Sequence, residues 1–169
     1  LEPQKNQKLL IDAFSMIAND IPEYDLVIYG EGSLRRDLEI YIESKGLTNR
    51  VRLPGTKSGI QDYIKDAALF VLISDYEGIP NSLIEAMAIG LPCISTDCSP
   101  GGARELIENG NNGFITPCGD AQKLADEILK MINNKPLAKA CGTNAKQIRQ
   151  RTAVAKISKE WMACICGKR

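Results

Sequence analysis

Leu69-Phe70-Val71-Leu72-Ile73-Ser74-Asp75-Tyr76-Glu77-Gly78-Ile79-Pro80-Asn81-Ser82-Leu83-Ile84-Glu85-Ala86-Met87-Ala88-Ile89-Gly90-Leu91-Pro92-Cys93-Ile94-Ser95-Thr96 reads as strand, loop, helix and strand in succession. The unbroken apolar run Leu69 to Ile73 is the mark of a strand buried on both faces. Pro80 suits a first helical turn, where its missing N–H costs nothing, so the helix runs from about Pro80 to Ile89. Cys93 to Thr96 is the next strand. A helical crossover between two strands makes them parallel neighbours.

The same alternation extends both ways along the chain. Leu9, Leu10, Ala13, Phe14 and Ile17 follow helical spacing and predict an amphipathic helix over 4–19. Leu26 to Tyr29 is a strand, residues 34–45 a helix ended by Gly46, and Val51 to Leu53 a strand stopped by Pro54-Gly55. A short helix covers 59–66. Beyond the central unit come a short helix at 103–108, a turn at 109–113 and a strand at Phe114-Ile115. Asp120 is a cap for a helix at 121–133, and helices follow at 136–149 and 153–165. The fold class is α/β: a parallel sheet with helices on both faces, read as one domain over 1–169, with C-terminal helices at about 136–165. In such sheets ligands bind outside the C-terminal ends of the strands. The loops Gly30 to Ser33, Ser74 to Asn81 and Asp97 to Gly102 are therefore the ones to watch.

Composition narrows the chemistry. The 21 basic and 21 acidic residues cancel, which argues against a nucleic-acid surface. No apolar run reaches the length needed to span a bilayer, and no secretory signal is visible. The chain starts at Leu1, as an excised piece of a longer protein would. Histidine is absent, so Ser-His-Asp, Cys-His and His-ligated zinc chemistry are excluded. The six cysteines lack metal spacing and read as reduced thiols, Cys93 packing as a small apolar residue. The turn Gly30-Glu31-Gly32 lacks the third glycine of the dinucleotide fingerprint, which counts against a dehydrogenase.

Glu77 and Glu85 flank the start of the central helix. Glu85 lies in an otherwise apolar run, and a buried carboxylate needs a partner. Free amides near Ile79 to Ser82 and the positive end of the helix dipole suit a phosphate. Gly78 lets a ligand approach the backbone. Carboxylates accept hydrogen bonds from sugar hydroxyls, so an anion with polyol groups on both sides, a nucleotide sugar, fits between them. The alternative reading has Glu77 capping a loop and Glu85 paired with a lysine or arginine. Other residues have simpler readings as well. Lys5 can be a solvated residue opening its helix, and Gly101-Gly102 a loop needing positive φ. Arg104 and Glu105 read as surface or helix-cap residues, Trp161 as a packing anchor, and Lys65, Asp66 and Asp75 as solvated or turn residues.

The pattern Glu77-x7-Glu85 resembles that of the retaining GT-B glycosyltransferases of group 1. Pro3-Gln4-Lys5-Asn6-Gln7, Ile28-Tyr29-Gly30-Glu31-Gly32, Val51-Arg52-Leu53-Pro54-Gly55, Ser95-Thr96-Asp97 and Gly101-Gly102-Ala103-Arg104-Glu105 fit the same family. The resemblance covers nearly the whole chain but only the C-terminal, Rossmann-like half of a GT-B enzyme. It implies that an N-terminal acceptor domain lies outside this chain. It implies that Glu77 contacts the donor sugar near the reacting carbon and that Glu85 holds the ribose. Backbone around Gly78, Ile79, Pro80 and Asn81 would meet the distal phosphate or sugar. Lys5 would neutralise the pyrophosphate, together with an arginine that precedes it in the family and lies outside this chain. Leu53, Pro54 and Gly55 would line the base, and Gly30, Glu31 and Gly32 would shape that pocket. The expected partners are a nucleotide sugar, UDP-linked on family frequency, and a glycan or lipid-linked acceptor, without nucleic acid. No metal or other cofactor is expected. The implied role is polysaccharide or lipopolysaccharide biosynthesis in the cytoplasm, with any contact at the inner membrane face made through the absent part. The rival classes are a GT-B nucleotide-sugar epimerase and a non-catalytic nucleotide-binding module.

Overall fold

The computed structural model describes residues 1–167; residues 168 and 169 of the expected domain lie outside them. A 3-10 turn, Pro3–Lys5, leads into helix α1, Gln7–Ile17. The single helix expected over 4–19 is broken at Asn6, whose φ of 40° and ψ of 46° are left-handed. Then follow β1 (Leu26–Tyr29), α2 (Arg35–Ser44), β2 (Val51–Gly55), α3 (Ile60–Ile64), β3 (Phe70–Leu72) and α4 (Asn81–Ile89). The chain continues through β4 (Cys93–Thr96), α5 (Gly102–Leu106), β5 (Phe114–Thr116), α6 (Ala121–Asn133) and α7 (Lys135–Ala145). It closes with α8 (Ile148–Arg151) and α9 (Val154–Ile165).

Local chemistry accounts for the boundaries. The Asp120 carboxylate accepts from the Lys123 amide at 2.8 Å, capping α6 where the sequence places it. Gly46, with φ of 68°, ends the α2 turn. Pro54 and Gly55 do not stop β2, which runs through both. The strand pairs with β1 alone, so a residue without an N–H is tolerated on its open side. The helix expected over 136–149 is two helices, α7 and α8.

Every pairing is parallel, in two ladders: β1 with β2, and β3–β4–β5. Among the described residues no hydrogen-bonded ladder joins β1 to β3. What joins them is the core. The row Val71–Ile94–Phe114 faces a cluster with Ile11, Phe14 and Ile17 of α1 and Leu124, Ile128 and Met131 of α6, which also holds Ile28 and Val51. Leu72, Cys93 and Ile115 face the opposite cluster, with Leu83 and Met87 of α4, Leu106 of α5 and Ile148 of α8. Alternate residues of one strand thus enter alternate cores, and helices cover both faces, as expected. Phe70 and Val71 are only half-buried, so β3 is less enclosed than its apolar run suggests. All six cysteines are free. Burial pushes the Cys93 thiol far up, and it packs as the small apolar residue the sequence suggests.

One expectation about the C-terminal end differs from what is found. Trp161 is 65% exposed and anchors nothing among the described residues; α9 buries none of its side chains. The arginines of α8 are tied down instead. Arg149 Nε donates to the Ala88 carbonyl at 2.5 Å, and Arg151 Nη2 to the Glu105 carbonyl at 2.6 Å. Both reach carbonyls near helix C-termini, where cations complement the dipole. No helix among the described residues is long and apolar enough to cross a membrane.

Candidate functional site

The three loops expected to matter gather at the C-terminal ends of β1, β3 and β4, and residues 1–6 run across them as a strap. At one end Leu34 N–H donates to the Leu1 carbonyl at 3.1 Å, and Glu2 takes the Ser33 amide and hydroxyl, each at 3.2 Å. A Cβ on Gly32 would come within 2.5 Å of Leu1 backbone, so glycine is needed there for the close approach. At the other end the Asp75 amide donates to the Gln4 carbonyl at 2.8 Å. The Asn6 amide donates to Asp75 Oδ1 at 2.8 Å, and Gln4 Nε2 to the Tyr76 carbonyl at 3.3 Å.

This strap delivers Lys5 to Glu77, and the two form an ion pair through Nζ and Oε2. Glu77 is neither a simple loop cap nor solvated: its side chain is 18% exposed, and Ser74 Oγ donates to the same oxygen at 3.4 Å. Ser74 is itself fixed by Thr96. The Thr96 hydroxyl accepts from the Ser74 amide at 2.9 Å and donates to its carbonyl at 2.8 Å, joining the ends of β3 and β4. The Glu77 amide donates to the Ser99 carbonyl at 3.0 Å. Gly102 lies so close to this loop that a Cβ there would sit 1.7 Å from the Gly78 carbonyl oxygen. Gly101 does need its positive φ, 99°; Gly102 is required by contact instead.

Pro80 is buried and is the N-cap of α4 rather than its first residue; the helix starts at Asn81. The amides of Leu83 and Ile84 bond the Pro80 carbonyl at 3.1 and 3.2 Å. Among the described residues the N–H groups of Gly78, Ile79, Asn81 and Ser82 have no hydrogen-bond partner. Unpaired N–H groups at a helix start are the kind of donor that can hold an anion.

Glu85 departs from expectation. It is half-buried rather than sunk in an apolar face, and its Oε2 accepts from Gln61 Nε2 of α3 at 3.2 Å. Among the described residues no lysine or arginine pairs with it, and a neutral amide is its partner instead. At the β1–β2 end, the Gly30 amide donates to the Gly55 carbonyl at 3.0 Å. Arg35 donates through Nη1 to Glu31 at 2.7 Å and through Nη2 to the Leu53 carbonyl at 2.8 Å. A Cβ on Gly55 would lie 2.6 Å from the Glu31 carboxylate. Leu53, Pro54, Gly55, Gly30, Glu31 and Gly32 thus gather at one corner, and Lys5, Glu77, Gly78 and Ile79 at another. Sequence reading missed Asn6, Gln4, Arg35 and Gln61; polar residues at strand ends or on helices facing these loops were the signal available. Asp75, read as a turn residue, is a cross-link. Arg104 is exposed as expected, and its fork grips Asp97, one bond at 2.6 Å.

Parallel strands, helices on both faces and loops gathered at the strand ends define an open α/β ligand-binding domain. The chain belongs to the group 1 glycosyltransferases: the family model described as "Glycosyl transferases group 1" matches residues 1–148. It is 31% identical over 99% of its length to an uncharacterised glycosyltransferase of Methanocaldococcus jannaschii, covering 48% of that protein. It is 32% identical over 95% of its length to a poly(ribitol-phosphate) alpha-N-acetylglucosaminyltransferase of Staphylococcus aureus, covering 32% of it. The crystal structure of HepE from Anabaena in complex with UDP superposes with a TM-score of 0.91 at 29% identity, over 99% of this chain and 46% of that one. The chain therefore spans less than half the length of each of these three proteins, and its architecture is the GT-B half-fold that the sequence resemblance implies.

Proposed function

We propose that this chain is the donor-binding half of a glycosyltransferase that moves a sugar, with retention, from a UDP-linked donor to a glycan or lipid-linked acceptor. The observation that carries the reading is the Lys5–Glu77 pair set beside four unpaired amides at the start of α4. UDP in the HepE complex supports the choice of nucleotide. The nucleotide would lie along the strap. Its base would meet Leu53 to Gly55, its ribose hydroxyls Glu85, its diphosphate the α4 amides and Lys5, and its sugar Glu77.

Glycosyl transfer breaks the bond between the sugar carbon and the diphosphate oxygen and forms one to the acceptor oxygen. The acceptor proton passes to the departing diphosphate, so no histidine or other protein base is needed in this half. Charge builds on the diphosphate, and fixed donors aimed there stabilise it without reorganising. Lys5 and the helix amides supply that stabilisation, so we infer no resident metal; a chelator should leave turnover unchanged. The acceptor side and the rest of the cleft would come from the part of the enzyme outside this chain, so these 169 residues alone should not turn over substrate. Polysaccharide or lipopolysaccharide assembly at the cytoplasmic face of a membrane is the corresponding role.

The test is calorimetry of the whole protein with UDP, GDP and ADP, followed by turnover of the matching sugar donors. Lys5→Ala should lower kcat by about 10²–10³-fold, as loss of an oxyanion-type donor does. Unchanged turnover would remove Lys5 from the mechanism, and failure of all three nucleotides to bind would sink the donor-site reading. Isomerised sugar nucleotide without acceptor would point to an epimerase. Full function after Glu77→Gln would point to a non-catalytic module.

A further inference from the structure

Lys5 has a long flexible stem and sits on a 3-10 turn of three residues, a poor platform for a point charge. Its surroundings compensate. Residues 4, 5 and 6 each touch the segment 75–77: Gln4 through its carbonyl and amide, Lys5 through Glu77, and Asn6 through Asp75. Asn6 is the only non-glycine residue with positive φ among those described. That conformation stops the 3-10 turn from merging into α1 and so turns Lys5 toward the β3 loop rather than along the helix. Left-handed backbone is unfavourable for a residue with a side chain, and asparagine tolerates it best.

Asn6 also uses both ends of its amide. Its Oδ1 accepts from the Leu9 N–H at 3.4 Å, capping α1, while Nδ2 donates to Asp75 at 2.8 Å. Glycine would accept the backbone and lose both bonds. Aspartate would keep the cap and repel Asp75. Asp75 is exposed and stands two residues before Glu77, in the loop that leads to the proposed anion site, where a negative charge is unfavourable. Its bond to Asn6 is the compensating gain.

We propose that Asn6 and Asp75 are positioning residues of the donor site, holding the left-handed turn that aims Lys5 at Glu77 and at the diphosphate that would lie beside the pair. The proposal rests on the donor-site reading and adds two residues that touch no ligand.

The experiment compares UDP, by calorimetry, with uridine, by saturation-transfer NMR, in the whole protein. Asp75→Ala and Asn6→Ala should each weaken UDP binding about three- to tenfold, the equivalent of one hydrogen bond, and leave uridine binding unchanged. Asp75→Asn keeps an acceptor for Asn6 and should restore UDP binding. In a Lys5→Ala background Asp75→Ala should cost nothing further, because the residue it positions is gone. Equal losses for UDP and uridine would reveal a general structural role and overturn the proposal, as would unaltered UDP binding in Asp75→Ala. If Asn6→Ala does not fold, the exposed Asp75 variants decide alone. Absence of UDP binding in the unaltered protein would instead remove the donor-site reading, and this proposal with it.

Discussion

Gly102 shows how little room the β3 loop has. The carbonyl of Gly78 occupies the space a methyl group would need, and both partners are backbone. Neither can swing aside as a side chain can. Gly102→Ala should cost about 1–3 kcal/mol in denaturant unfolding, in the range of overpacked sites, and should weaken nucleotide binding by displacing Glu77 and the α4 amides. A Cβ on the neighbouring Gly101 would meet nothing within 4 Å, but its φ is 99°, so Gly101→Ala tests strain alone. A smaller binding loss at Gly101 than at Gly102 would separate contact from conformation. Two adjacent glycines serve two physical needs, and only the first of them, positive φ, is readable from a Gly-Gly pair.

Between elements, arginine and carboxylate cross-links do the fastening. Arg50, just before β2, donates to the carbonyls of Ala18, Ile21 and Tyr24 at 3.1, 3.0 and 2.6 Å and to Asp25 at 3.3 Å. It thereby staples the end of α1 to the start of β1. Arg50→Ala should destabilise the chain by about 2 kcal/mol, and Arg50→Lys should recover little, since an ammonium cannot reach several carbonyls as a fork does. The α1–α2 contact depends on Asp12, which accepts from Tyr41 and Lys45, each at 2.6 Å. Burial raises the Asp12 carboxyl, but the Lys45 and Tyr41 hydrogen bonds and the charges of Lys45 and Lys8 outweigh it, so the group ends below its ordinary value of 3.8. A depressed carboxyl stabilises the fold fully above that unfolded value and loses the contribution as pH falls through the lower folded one. Thermal unfolding below about pH 4 should therefore be less pH-dependent in Asp12→Asn than in the unaltered chain.

These elements also show what sequence could carry. The helix 121–133 is legible to the residue because a polar cap precedes a clean 3.6-residue apolar period. The break at Asn6 is not, because the apolar period begins only at Leu9 and leaves residues 4–8 without a pattern, and the Asn6 side chain bonds an aspartate 69 positions away. The paired carboxylates of the candidate site were legible as a pattern, and so was Lys5 through the family resemblance. The neutral partners of those carboxylates, Gln61 and Ser74, were not, nor were the neighbouring bonds of Asn6 to Asp75 and of Arg35 to Glu31 and Leu53; all are polar residues whose roles depend on which loops meet at the strand ends.

At the scale of the whole molecule, α9 stands apart from both cores. Val154 is 80% exposed, Met162 59% and Ile165 71%, and the helix meets the rest of the chain mainly through α8. An element with so little burial contributes little to global stability. Ending the chain after Arg151 should leave the unfolding midpoint in denaturant nearly unchanged, and Trp161 should be readily quenched by acrylamide in the 169-residue chain. A large loss of stability on truncation would show that α9 packs in a way its exposure contradicts.

The strap of residues 1–6 crosses the gap between the two hydrogen-bonded ladders and is fastened on each side, to Ser33 and Leu34 at one end and to Asp75, Tyr76 and Glu77 at the other. It is in effect a gauge block. It bridges the loop beside the corner at Leu53 to Gly55 and the corner at Glu77, and a donor of the proposed kind would have to match that span to touch both at once. Specificity for a nucleoside diphosphate over a mono- or triphosphate would then be a measurement of length, made by backbone, and one residue inserted between Glu2 and Gln4 would miscalibrate it by shifting Lys5 relative to Ser33 and Leu34.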